Sequence, residues 1–176
     1  MSEGIQINAR APAPADLIRA IGRALDPIAA GLGLDVVLSD TAFDALDALA
    51  DAPGGGRVVV AWRGDDNRAG LPGGHGGVAF HEIAIAVTTG RDLSPERAPE
   101  LVCMEALAKI RKAVLGLRFR PAAGAQPSMD DRLAYERTRP IIAPSGIPTE
   151  AFEMTFTVRA ALPMPDDRAE TVIVTV

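Results

Sequence analysis

Cysteine is almost missing from this 176-residue chain: Cys103 stands alone, which excludes an internal disulfide framework and any zinc site built from several thiolates. Aromatic rings are scarce at 4% of residues, with five Phe, Trp62 and Tyr135, so the core must be filled by Leu, Ile, Val and Ala. Lysine occurs only at 109 and 112, against 16 arginines, and with so much Ala, Gly and Pro this reads as a coding bias before any arginine chemistry. Apolar runs are short; none approaches the roughly 18 residues a membrane span requires. The opening MSEGIQINARAPAPADL has no apolar h-region, so no secretory signal is expected. Excess positive charge is missing as well. With 18 basic and 23 acidic residues, a net charge of −5 and a pI near 5.0, a nucleic-acid-coating role is disfavoured.

What is present is 48% apolar and 23% charged residues, a globular composition of a length that suits one domain. Residues 1–14, containing APAPA, read as a flexible arm, because Pro12 and Pro14 restrict themselves and their predecessors. From Asp16, Leu17, Ile18, Ile21, Leu25, Ile28 and Leu32 recur at helical spacing, with Pro27 predicted to kink or shorten the helix and Gly31 and Gly33 to stop it. DVVLSD suits an edge strand or an extended connection, and TAFDALDALADAP reads as a short helix capped by Thr41. RVVVAWRG, residues 57–64, is a buried strand; the six-glycine stretch 64–77 is a loop; VAFHEIAIAVTTG returns as a second strand, so the two form a long-looped antiparallel pair.

Ser94, Pro95 and Glu96 predict a helix start. Cys103, Ala106, Leu107, Ile110, Ala113, Val114 and Leu117 then form an apolar stripe opposite Glu105, Lys109 and Lys112. Residues 118–132 read as irregular, LAYERTRPII as a strand closed by Pro140, and AFEMTFTVRAAL as a strand. There Phe152, Met154, Phe156 and Val158 alternate with Glu153, Thr155, Thr157 and Arg159, predicting one core face and one solvent face. ETVIVTV supplies a last strand, within the chain or on a neighbour's sheet. The expected class is α+β: an antiparallel β-sheet of about four strands with amphipathic helices packed on one face, spanning 15–162, plus a C-terminal extension at 163–176.

Chemistry-bearing motifs are sparse. The glycines of LPGGHGG lack a GxxxxGK[ST] spacing and precede a strand, which argues against phosphate or dinucleotide binding. His75, His81, Asp65 and Asp66 have no spacing that enforces metal geometry. Cys103 lies on an apolar stripe, and the paired carboxylates Asp65/Asp66, Asp130/Asp131 and Asp166/Asp167 sit in polar segments where solvation is the default. The arginines of RFR and YERTRP, with Asp130 and Asp131 between them, read as a mixed surface. No metal, cofactor or catalytic residue is expected.

The order of features resembles the tail-terminator (tail-completion) proteins of long-tailed bacteriophages and related phage-like particles. The resemblance rests on the helix DLIRAIGRALDPI, the strands RVVVAWRG and HEIAIAVTTGRD, the helix PELVCMEALAKIRKAVLGL and the closing pair around YERTRPII and AFEMTFTVRA, roughly residues 15–162. It implies a structural virion protein without enzyme activity or cofactor, forming a hexameric ring. That ring caps the tail tube, ends its polymerisation and joins the tail to head-side connector proteins. It also implies location in the virion neck after assembly in the host cytoplasm, with DNA only as passing cargo. On that reading Trp62, Arg118, Phe119 and Arg120 are candidate inter-subunit or tube contacts, against their plain roles as core rings and helix-end charges. Two alternatives stay open: another neck or tail adaptor, and a small cytosolic enzyme or ligand-binding domain with a pocket lined by His81, Glu82 and Cys103.

Overall fold

The helix predicted from the Leu17-to-Leu32 spacing forms as α1 (Pro14–Ala30), with Leu17, Ile18, Ile21 and Leu25 buried and Arg19, Arg23 and Asp26 exposed. The protein is described by a computed structural model covering residues 5–9, 14–39, 56–66, 78–89, 99–121, 132–141, 150–161 and 170–175. Helix α1 runs through Pro27 and ends three residues beyond it. Its stop is a Schellman turn: Leu34 N–H donates to Ala29 O (2.9 Å) and Gly33 N–H to Ala30 O (3.1 Å), with Gly33 at φ 71°. That left-handed position needs glycine, and Leu34, buried just beyond it, supplies the hydrophobic contact of the motif.

The second helix, α2 (Pro99–Gly116), buries Val102, Cys103, Ala106, Leu107, Ile110 and Val114. The expected start at Ser94 and Pro95 and the helix expected at 41–53 lie outside the described residues.

Both helices lie on a five-stranded sheet. Its strands are β2 (Asp35–Ser39), β3 (Gly56–Asp66), β4 (Val78–Thr89), β6 (Ala134–Pro140) and β7 (Glu150–Ala161), in the order β2-β3-β4-β7-β6. Helix α1 packs over β2 and β3, and α2 over β4 and β7. Between helices and sheet, Val58, Val60, Ile83, Ile85, Val87, Met154, Phe156 and Val158 complete the apolar core. The α+β class and the helix-backed, mostly antiparallel sheet are as the sequence predicts. The sheet is mixed, however, because β2 pairs parallel to β3 (Asp35↔Arg57 to Ser39↔Ala61). A parallel pair needs a crossover connection, which the short DVVLSD run cannot disclose.

A second, three-stranded sheet corrects two expectations and decides a third point that the sequence leaves open. Its strands are β1 (Ile5–Ala9), β5 (Arg118–Pro121) and β8 (Glu170–Thr175), ordered β1-β8-β5 and antiparallel throughout. Residues 5–9, read as an arm, pair with the terminal strand; 118–121, read as irregular, are a strand; and ETVIVTV pairs inside its own chain. Such pairings carry no local sequence signal, since each strand is short and its partner is far along the chain.

Candidate functional site

The face of the five-stranded sheet away from the helices holds the principal polar cluster among the described residues. Register defines its rows. Val59 lies opposite Ala86, Ala86 opposite Glu153, and Glu153 opposite Arg139; beside them run Ala61, Ala84, Thr155 and Arg137. Strand alternation sends all of these to the side opposite Ile83, Ile85 and Phe156. Val59, Ala61 and Ala86 form a small buried apolar floor, with Val37 and Ile141 against it.

On that floor Glu153 is 3% exposed, where the alternation of β7 predicts solvent. Burying a lone carboxylate is costly, and here two arginines offset the cost. Arg139 donates from Nε (3.0 Å) and Nη2 (2.8 Å) to Oε1, and Arg63 Nη2 donates to Oε2. Arg63 reaches Glu153 across the whole width of β4, about 9.5 Å from strand to strand. The small side chains of Ala84 and Ala86 leave room for that crossing. With both oxygens engaged by guanidinium donors, Glu153 anchors the arginines and is not placed to act as a base.

Two β-bulges assemble this cluster. In β3 the register passes from Trp62↔Ile83 to Gly64↔Glu82, leaving Arg63 as the extra residue, with Gly64 at φ 126°. In β6 it passes from Tyr135↔Phe156 to Arg137↔Thr155, leaving Glu136 as the extra residue. A one-residue shift reverses side-chain facing. Without the second bulge, Arg137 and Arg139 would point toward the helices. With it they join Glu153, while Glu136 accepts a hydrogen bond from Thr157 Oγ1 (2.8 Å).

Partial burial is the largest influence on Arg63 and lowers its guanidinium pKa from the ordinary value. The nearby cations Arg139 and Arg137 lower it further, and the Glu82 carboxylate opposes them. The Glu153 carboxylate that touches Arg63 is shared with Arg139, so it neutralises neither guanidinium alone. All seven residues of β6 are exposed, which makes this edge a charged rim beside the buried Glu153.

Around the corner of the same edge, the outward side of α2 presents Leu101 at 61% and Met104 at 60% exposure, with Leu115 also exposed. Arg111 of that helix stacks over the Tyr135 ring of β6 (5.6 Å to the centroid), and Tyr135 meets Phe156 edge-on (5.6 Å). Charged rim and apolar stripe thus adjoin.

The four residues singled out from sequence are not gathered there. Phe119 is 2% exposed and belongs to the core, and Trp62 packs half-buried against the same core. Arg118 Nη1 donates to Leu115 O (3.1 Å) in the last turn of α2 and to Leu117 O (3.0 Å) just beyond it. Arg120 stands opposite Ile173 in the second sheet, and its side chain is outside the described residues.

The pocket expected from His81, Glu82 and Cys103 is divided by the sheet. Cys103 is in the core beneath α2, and His81 shares the parity of Ile83 on that side, whereas Glu82 faces Arg63 on the other. Among the described residues no group of three or more His, Cys, Asp or Glu is placed to hold a metal ion. No described helix is long and apolar enough to cross a membrane.

Sequence reasoning treated Glu153 as a solvent-facing residue. The available signal was on its neighbours: Ala84 and Ala86 of β4 and Val59 and Ala61 of β3 leave no polar side chain on the far face at those positions, so that face is not simply solvated. The chain matches no protein-family model and no curated protein sequence.

Proposed function

We propose that this chain is a structural subunit of the phage tail neck, a tail terminator. In this reading it assembles in the host cytoplasm as a ring, a hexamer by the family resemblance, that caps the tail tube and ends its polymerisation. Its partners are further copies of itself, the tube protein and the head-side connector proteins, and DNA passes through it only as cargo. It needs no cofactor and performs no reaction.

The observation that carries this reading is the exposed edge of the fold: charged strand β6 beside the uncovered Leu101, Met104 and Leu115 of α2. Contiguous exposed apolar side chains rimmed by charge mark surfaces made for protein contact. The opposite requirement, a rigid subunit, is served by the helix-backed sheet and by the Arg63–Glu153–Arg139 tie across three of its strands. Another neck or tail adaptor would share these features and is separated by the partner it coprecipitates.

The test is negative-stain imaging of the purified chain, alone and mixed with tail tubes lacking their terminator. Rings, and tubes of fixed length carrying a terminal cap, are the expected result. A species that stays monomeric across concentrations and leaves tubes growing refutes the proposal.

A further inference from the structure

We infer that the face of the five-stranded sheet away from the helices holds a binding site for a tetrahedral oxyanion of the phosphate class, above Ala84 and between Thr155, Arg63 and Arg137. The site is independent of the ring reading: it is defined by donors left over behind the helices, and ligand binding decides it, not assembly.

Donors without acceptors mark the place. Thr155 is 2% exposed, and its buried Oγ1 has no hydrogen-bond partner among the described residues. The buried Nε of Arg63 has none either. Native proteins pair nearly all their buried polar groups, so two orphans on one patch of sheet call for a partner. A guanidinium N–H can only donate and a hydroxyl can donate, so the missing partner is an acceptor.

Register brings these groups together. Thr155 stands between Ala84 of β4 and Arg137 of β6 in one row across the sheet. Alternation sends its side chain to the face shared with Glu153, about 7 Å away along β7. Arg63 starts beside Glu82 and Ala84 and crosses β4 to reach Glu153, which carries its Nε over the same stretch of sheet. Ala84 offers only a methyl group to that space. Arg137 is exposed, so a ligand enters by displacing one surface side chain.

Charge sets the sign of the ligand. Both oxygens of Glu153 are taken by Arg63 and Arg139, and Glu136 accepts from Thr157. The Arg137 guanidinium pairs with no carboxylate among the described residues. Burial first, and then the cations Arg139 and Arg137, hold the Arg63 pKa down against the opposing Glu82, as expected of a patch short of negative charge. Donor geometry sets the class. Thr155, Arg63 and Arg137 come from three strands and converge from different directions, and a tetrahedral oxyanion turns one oxygen to each, whereas a planar carboxylate has two.

Inorganic phosphate is the probe. In titration calorimetry and thermal unfolding of the full chain at constant ionic strength, phosphate should bind saturably and raise the Tm, where acetate and chloride do not. Arg137→Gln and Thr155→Val should each weaken binding about ten- to hundredfold, the loss of one hydrogen bond to a charged group. Without phosphate, Thr155→Val should leave the Tm unchanged or raised, since a methyl group replaces a hydroxyl that has no partner. Glycerol phosphate, titrated in parallel, tells a free anion from a phosphate carried on a larger molecule, and saturable binding of either supports the site.

A chain that responds saturably to neither phosphate overturns the inference, as does an equal response to acetate or a response that survives either substitution. A Thr155→Val variant destabilised in the absence of phosphate also overturns it, by assigning the hydroxyl to the fold.

Discussion

Replacing Glu153 by Gln tests the central tie of the sheet. The substitution keeps the side-chain shape and removes the charge that Arg63 and Arg139 share. Breaking a fully buried ion pair by removing one partner costs about 3–5 kcal/mol. Here Glu153 is buried, but the side chains of Arg63 and Arg139 are 25% and 51% exposed, so water takes up part of the loss. Gln also keeps one acceptor for a guanidinium. Those two corrections bring the expected cost to about 2–3 kcal/mol, which for a domain of this size lowers the Tm by about 4–12 °C.

Urea unfolding followed through the single tryptophan, Trp62, gives the equilibrium value, and calorimetry gives the Tm. The double variant Arg63→Met/Glu153→Gln separates the causes. If the penalty arises from cations left without their carboxylate, removing the more buried cation should make the double variant less damaged than the sum of the singles. A Glu153→Gln cost below about 0.5 kcal/mol, or strict additivity in the double variant, would refute the reasoning.

Other perturbations follow from the same geometry. Gly64→Ala should cost about 1–3 kcal/mol in urea unfolding, because its φ of 126° strains any L side chain although no neighbouring atom obstructs a Cβ there. Gly22→Ala is the contrasting case: the new Cβ meets only the tip of Leu38, a partly exposed side chain that can rotate away, and the helix gains about 1 kcal/mol of propensity, so the change should be neutral or stabilising. For Arg63→Met, the stability difference from the parent should be flat from about pH 6 to about pH 9, since the guanidinium is charged in both folded and unfolded chains there. Because its folded pKa is lowered, the desolvation cost is complete below that pKa. It declines only in strongly alkaline solution, where the native state releases the proton first and stability rises with pH relative to Arg63→Met. A slope near neutrality would contradict the assignment.

Local periodicity was enough to determine α1, the apolar stripe of α2 and strands β3, β4, β6 and β7, because a helix or strand on one core repeats its apolar residues every 3.6 or 2 positions. A glycine stop to α1 was legible too, from Gly31 and Gly33, and the structure shows it as a Schellman turn with Gly33 in the left-handed position. The candidate site was less legible. Arg63, Arg137, Arg139 and Glu153 belong to three strands, and their shared face depends on two bulges whose positions no alternation rule predicts. The outward side of α2 reads in sequence only as polar, from Glu105, Lys109 and Lys112; that Leu101, Met104 and Leu115 are left uncovered there is decided by packing.

The sequence by itself therefore determined the class of the fold and which residues of α1, α2 and β7 turn toward the helix–sheet core. The tertiary structure decided the parallel placement of β2, the three-stranded sheet joining residues 5–9 to the C-terminal strand, and the burial of Glu153. The physical reason is range: helix and strand periodicity follow from neighbours along the chain, whereas sheet order, register shifts and a compensated buried charge depend on residues tens of positions apart.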